Sequence, residues 1–270
     1  INSITNVFSF RKMKYKKNSR PLSNLRCTGG NCLDLSGFLR HTGKRFFFSS
    51  EKNTKPAFAA DWDGLAASDA IALGRDEVVS LGRQAYDVFA LAGEVLFSGE
   101  QQLMEDTRRK QTQFLAASVQ LTERLDSLRS LDLTGKELRQ TAELLWVTAQ
   151  VRRIGLYAGD VAEAAGELGS KELSPEGKKE LEQYFKITLL MLDKALSIYQ
   201  GRCFDQLRSL QQLEEQAEEQ QLVLKDGYFQ RMADECYEPG IVFPSVAADC
   251  ARCCELAGEI ACVITGRDRL

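Results

Sequence analysis

Apolar side chains recur at three- and four-residue spacing along residues 66–170, a pattern that predicts amphipathic helices. A first helix stops near Gly99, and a second covers about 100–128. A third opens at Thr134 and Glu137, whose spacing is typical of a capping box. The apolar positions expected to face the core in the second and third helices are Leu103, Phe114, Leu115, Val119, Leu125, Leu138, Leu145, Val151, Ile154, Val161 and Ala165.

The same spacing continues through residues 171–270 and predicts three more helices. The fourth opens at Ser174 and Pro175 and stops at Gly201, with Ser as the N-cap and Pro in the first turn. The fifth covers about 203–236, and the sixth begins after Pro244 and Ser245. Six helices joined by short connections favour an all-α antiparallel bundle, in which 66–170 and 171–270 each supply three helices.

A short helical signature occurs twice, which indicates that the two halves are related. Residues 153–162 read Arg-Ile-Gly-Leu-Tyr-Ala-Gly-Asp-Val-Ala, and residues 252–261 read Arg-Cys-Cys-Glu-Leu-Ala-Gly-Glu-Ile-Ala. Arg153 and Arg252 therefore occupy matching positions 99 residues apart. Glycine inside a helix costs about 1 kcal/mol relative to alanine. We therefore expect close helix–helix contacts at the small residues of the signature, which include Gly155, Gly159 and Gly258.

Charge divides the chain into a basic start and an acidic remainder. Residues 1–50 hold ten Lys or Arg and a single acid, Asp34, whereas residues 51–270 hold 25 basic and 37 acidic residues, a net charge of −12. A body this acidic repels nucleic acid, so nucleic acid is not expected as a partner. No run of about 18 apolar residues occurs, so no membrane-spanning segment is expected.

The basic residues 1–65 lack clear periodicity and are interpreted as a disordered tail or linker. Two other interpretations stay open. Residues 38–50 are rich in Arg and Ser and poor in acids, as organelle transit peptides are. Clustered Lys and Arg are also attracted to an anionic membrane surface. Cys27 and Cys32 lack the second ligand pair that a zinc site needs.

Candidate reactive groups are few. The only histidine is His41, in the basic tail, and no glycine-rich phosphate loop or dinucleotide motif is present, so no catalytic residue is expected. Cys250, Cys253 and Cys254 share one face of the sixth helix. A soft-metal or redox role is one interpretation of this cysteine cluster. Core packing is favoured, because free cysteine packs as a small hydrophobic residue.

The helical layout resembles the PhoU family of phosphate-homeostasis proteins. Residues 151–156, which read Val-Arg-Arg-Ile-Gly-Leu, are similar to the family signature Asp-Leu-Glu-Arg-Ile-Gly-Asp. The helix ends at Gly99 and Gly201 resemble the Gly-Asp junctions of that family. The resemblance covers about residues 68–266 and is greatest to the PhoU-like cytoplasmic portion of sodium/phosphate cotransporter-family proteins. It implies two tandem three-helix units.

The resemblance also implies metal clusters held by an acid-x-x-x-Asp motif in each unit, and here this chain departs from the family. Arg152 and Leu156 stand at the two motif positions of the third helix, and Ala251 and Glu255 at those of the sixth. A hard cation needs several converging carboxylates. No metal or other cofactor is therefore expected, and Glu255 is the single remaining candidate ligand.

The function implied by the resemblance is a non-enzymatic regulatory domain for phosphate transport and homeostasis, acting through helical surfaces. Its expected partner is a phosphate transporter or a signalling protein. Its expected location is the cytoplasm at the inner membrane face, with the basic tail as a candidate lipid contact. The alternative is a helical structural subunit of a larger assembly, mitochondrial or in another organelle if residues 1–50 are a transit peptide.

Overall fold

The computed structural model describes Trp62 and residues 64–169, 173–233 and 242–265. These residues form helices and no strand. Most of the predicted basic segment, including His41, Cys27 and Cys32, lies outside the described residues. The long helices are α1 (Ala67–Ser98), α2 (Gln101–Ser127), α3 (Gly135–Leu168), α4 (Pro175–Gly201), α5 (Leu207–Ala233) and α6 (Val242–Cys262).

The residues at the helix ends form ordinary caps. Gly99 ends α1 in the left-handed region, at φ 71°, where glycine carries no Cβ penalty. The Thr134 hydroxyl accepts a hydrogen bond from the Glu137 amide at the start of α3, and the Glu137 carboxylate accepts one from the Thr134 amide. The Ser174 hydroxyl accepts from the amide of Gly177 at the start of α4.

Two predicted helix starts were wrong. The last helix begins at Val242, so Pro244 lies within its first turn rather than before it. Proline is tolerated there, because the first N–H groups of a helix have no intrahelical acceptor. The fifth helix begins at Leu207, after a separate 3-10 turn over Phe204–Gln206.

The helices form two three-helix units, α1–α3 and α4–α6. In the first unit α2 packs across α1 and α3, and in the second α5 packs across α4 and α6. The units meet where α1 packs on α4 and where α3 packs on α6. The rings of Phe89 and Phe185 stack between α1 and α4 with centroids 4.7 Å apart. A Cβ on Gly93 would lie 2.3 Å from the same Phe185 ring, so this contact needs a glycine.

One ion pair is repeated in the two units. Arg124 of α2 donates to both carboxylate oxygens of Glu77 of α1 at 3.0 Å. Arg231 of α5 donates to the carboxylate of Glu180 of α4 at 3.0 and 3.1 Å. In each case the arginine joins the second helix of a unit to the first. The three-helix units therefore match in a side-chain contact as well as in helix order.

Not every apolar position faces the core as predicted. Leu138 is 51% exposed, and Val119 is 39% exposed. The buried stripe of α3 runs through Leu144 and Val151. Leu138 precedes Leu144 by six residues, which places it roughly 120° around the helix from that stripe. Leu138 therefore belongs to the outer face of α3.

Candidate functional site

The contact between α3 and α6 brings the two copies of the signature together, and we call it the seam. The guanidinium carbon of Arg252 in α6 lies 5.6 Å from the centroid of the Tyr157 ring in α3. Cations are attracted to the face of an aromatic ring. Burial and then the charge of Glu259 raise the pKa of Glu255 on α6, and the charges of Arg252 and of Arg153 on α3 oppose the increase. Each signature arginine thus faces the opposite unit.

A buried polar residue precedes each arginine by one helical turn. Gln150 is 8% exposed, and its amide oxygen accepts a hydrogen bond of 3.2 Å from Arg153 Nη1. Asp249 is 7% exposed and precedes Arg252 by the same three residues. Gln150 and Asp249 are also 99 residues apart, as the two arginines are. The repeated unit therefore contains a buried polar residue and an exposed arginine.

Asp249 is the most perturbed carboxyl group of the seam. Burial, and after it the charge of Asp160 on α3, raise its pKa to about 7, although the charge of Arg252 opposes the increase. The pKa of Asp160 is also raised, by its own burial and then by Glu163, again opposed by Arg252. Arg252 is therefore the cation that offsets two neighbouring carboxylates, one from each unit.

The signature glycines pack each helix against the second helix of its own unit. A Cβ on Gly155 would lie 2.0 Å from Phe114 Cε1, and one on Gly159 would lie 1.9 Å from Gln111 Nε2. A Cβ on Gly258 would lie 2.7 Å from Glu214 Oε1. Distances this short exclude an unshifted side chain at all three positions. The glycines therefore set how closely α2 approaches α3 and α5 approaches α6.

The cysteine cluster lies in the core. Cys250 and Cys253 are completely buried, Cys254 is 6% exposed, and Cys254 Sγ lies 3.5 Å from the Thr188 hydroxyl of α4. Burial raises the pKa of Cys254 to about 12 and those of Cys250 and Cys253 well above the usual value. All three are therefore protonated thiols near neutral pH, and a protonated thiol is a poor nucleophile and metal ligand.

The positions of the family metal motif do not fit a hard cation in this chain. Arg152 and Leu156 are exposed on α3, while Ala251 is buried on α6. Glu255 is exposed, and the charges that act on it are those of Glu259, Arg252 and Arg153. Within the described ranges, no group of three or more His, Cys, Asp or Glu side chains is arranged to hold a metal ion. An arginine and a leucine in place of two acids leave too few oxygen ligands.

A shallow groove lies between α4 and α5 and has a volume of about 290 Å³. Its lining residues are Glu176, Lys179, Glu180, Gln183, Gln220 and Val223. Glu180 is already paired with Arg231 at the side of the groove.

Several residues of this region could not be singled out from the sequence. Asp249 lies in a run of alanines and cysteines. Tyr157 and Asp160 fall within the signature, but the sequence does not show what they contact. One available signal was the repeat itself, because Asp249 and Gln150 precede the two arginines by the same distance. Trp146, 38% exposed on α3, had no such signal.

Comparison with known proteins relates the chain to others through structure alone. No protein-family model and no curated protein matches its sequence. The crystal structure of PhoU from Pseudomonas aeruginosa matches with a TM-score of 0.67 and 17% identity, over 74% of this chain and 97% of that one. The phosphate transport system regulatory protein PhoU from Streptococcus pneumoniae matches with the same TM-score and identity, over 76% and 99%. The chain therefore has a PhoU-like fold, an all-α bundle of two three-helix units.

Proposed function

We propose that this chain is a PhoU-like regulatory domain that acts on phosphate transport through its helical surfaces rather than by catalysis. The observation that carries the proposal is the match to two PhoU structures over 97% and 99% of their lengths, one of them described as a phosphate transport system regulatory protein. The partner is a phosphate transporter or a phosphate-signalling protein.

We propose further that the domain acts in the cytoplasm at the inner face of the membrane. No helix in the described ranges is long and apolar enough to cross a bilayer. The ten basic residues among residues 1–50 are the candidate contact with anionic lipid, each contributing about 1 kcal/mol at such a surface. Ion pairs of this kind weaken as salt is added. Release of the chain from membranes by 0.5 M salt supports this location, and retention in a detergent-resistant organelle fraction contradicts it.

The experiment that tests the partner is chemical cross-linking in intact cells of the source organism. The chain carries an affinity tag after Leu270, and cross-linked peptides are identified by mass spectrometry. We expect peptides from a phosphate transporter or sensor joined to lysines of residues 66–270. A matched culture expressing the same chain without the tag controls for nonspecific capture. Cross-links only to proteins unrelated to phosphate contradict the proposal.

The second candidate is a helical structural subunit of a larger assembly in an organelle. It is favoured by the loss of motif acids at Arg152, Leu156 and Ala251, together with the Arg- and Ser-rich residues 38–50. Fractionation distinguishes the two, because a cleaved N-terminal segment and a high-molecular-mass organellar complex are expected only for the subunit. An uncleaved chain in the cytoplasmic and membrane fractions supports the regulatory domain.

A further inference from the structure

The outer face of α3 exposes large apolar side chains along one line, which we call the α3 stripe. Leu138, Trp146 and Leu156 are 51%, 38% and 44% exposed. The exposed Ala142 and Ala149 lie between them at helical spacing. The stripe extends roughly 27 Å at 1.5 Å per residue. Exposed apolar side chains grouped in this way mark interaction surfaces more often than isolated ones do.

The α3 stripe is bordered by positive charge, although residues 51–270 as a whole carry a net charge of −12. The exposed cations beside it are Arg139, Arg152 and Arg153, and the charge of Arg153 also acts on Glu255 of α6. The two acids in the same part of α3 are engaged elsewhere. Glu137 accepts from the Thr134 amide and hydroxyl, and Glu143 pairs with Arg202. The stripe is therefore a cationic and apolar strip on an acidic protein.

We infer that the α3 stripe docks an acidic amphipathic segment of a protein partner, with apolar side chains of that segment on Trp146 and Leu156 and its carboxylates on Arg152 and Arg153. The inference rests on the proposed function and names the surface through which it operates. Trp and Arg are the side chains that contribute most to binding at protein interfaces. Opposite charges add specificity and speed association.

The charges beyond the stripe favour a protein segment over a lipid surface. Past Leu156 the same face of α3 continues with the exposed Asp160, Glu163 and Glu167. Glu255 and Glu259 are exposed on the neighbouring α6. An anionic bilayer is flat and would meet these carboxylates together with the arginines. A helix about as long as the stripe contacts the cations and ends before the acids.

Fluorescence tests this inference directly, because the chain contains only two tryptophans. In the full chain carrying Trp62→Phe, Trp146 is the sole reporter. The probe is an 18-residue amphipathic peptide with leucines along one face and glutamates on the flanks. We expect a blue shift of Trp146 emission and protection from acrylamide. A sister peptide with lysine for each glutamate should bind at least ten-fold more weakly.

The matched variants change charge equally at two places. Arg152→Glu with Arg153→Glu should weaken binding of the acidic peptide at least ten-fold. Arg108→Glu with Arg109→Glu, on the exposed surface of α2, should change it less than three-fold. Circular dichroism verifies that all variants are folded. Absence of binding, or an equal loss in both double variants, overturns the inference.

Lipid vesicles test whether the stripe binds a membrane surface instead of a peptide. If vesicles of phosphatidylcholine with 30% phosphatidylserine shift Trp146 emission more than the acidic peptide does, the stripe is a lipid contact and the inference is wrong. Failure of the stripe is distinguishable from failure of the proposed function. If phosphate uptake depends on residues 66–270 but not on Arg152 and Arg153, the inference about the stripe is wrong and the proposed function stands. If uptake does not depend on the domain at all, the proposed function is wrong, but the peptide-binding result is unaffected.

Discussion

Arg252 of α6 lies over the ring of Tyr157 of α3, with 5.6 Å between the guanidinium carbon and the ring centroid. The contact joins the two three-helix units at the signature that relates them in sequence. Removal of both side chains should reveal a coupling free energy of about 0.5–1 kcal/mol. Urea unfolding of Tyr157→Ala, Arg252→Ala and the double variant measures it.

Tyr157→Phe is the control for that cycle, because it keeps the ring and removes only the hydroxyl. Most of the coupling to Arg252 should remain in this variant. A coupling indistinguishable from zero in the alanine cycle would mean that the two side chains are neighbours without a stabilising interaction.

The pKa of Asp249, raised to about 7, predicts how stability depends on pH. An unfolded aspartate titrates near pH 3.9, so between about pH 4 and pH 7 the folded state binds more protons than the unfolded state. The contribution of Asp249 to stability is therefore lost as pH rises through this window. Asp249→Asn lacks this dependence, so its stability relative to the parent should increase by on the order of 2 kcal/mol from pH 5 to pH 8.

Chemical denaturation at several pH values measures the Asp249→Asn difference directly. Asp226→Asn, at an exposed position of α5, is the control for the loss of one carboxylate. A constant difference between Asp249→Asn and the parent would show that Asp249 is ionised throughout.

Two glycines of α3 should respond oppositely to alanine. A Cβ at Gly155 would lie 2.0 Å from the buried Phe114 ring, so Gly155→Ala should lower the free energy of unfolding by about 1–3 kcal/mol. Gly166 is exposed, and the nearest atom to its added Cβ is Met104 Cε at 3.5 Å. Gly166→Ala should therefore raise stability by up to about 1 kcal/mol. Thermal unfolding of both variants distinguishes the effect of packing from that of helix propensity. Equal changes in stability for the two variants would contradict the close contact between Gly155 and Phe114.

The rate of thiol labelling should distinguish the exposed cysteine from the buried ones. Cys262 is exposed, whereas Cys250 and Cys253 are completely buried with pKa values well above the usual range. Iodoacetamide at pH 8 should modify Cys262 at least a hundred-fold faster than Cys250 or Cys253, since the thiolate is the reactive form. Peptide mapping by mass spectrometry reports each site. Rapid modification of the buried pair in native protein would indicate an accessible, reactive cluster.

The sequence predicts the helices here better than it predicts the faces they bury. Gly99, Thr134 and Ser174 act through neighbours within a few residues, so their capping roles follow from local spacing. The start of α6 was misjudged because Pro244 is compatible with both a loop and a first helical turn. The exposure of Leu138 depends on which stripe of α3 the other helices cover, and periodicity alone does not determine that.

The seam illustrates the same limit at the level of chemistry. The repeat identified Arg153 and Arg252 as matching positions, but not what each arginine meets in space. Asp249 acquires its raised pKa from burial and from Asp160, a residue 89 positions earlier in the chain. Such a contact depends on how α3 and α6 pack, which no local pattern specifies.

Radiolabelled phosphate uptake, measured in starved and phosphate-replete cells of the source organism, tests the regulatory role most directly. The comparison is between the parent gene, an in-frame deletion of residues 66–270, and the deletion complemented by the full chain. We expect the parent and the complemented cells to reduce uptake in high phosphate, and the deletion to lose at least half of that response. Uptake that responds equally in all three strains would contradict a role for this domain in phosphate transport.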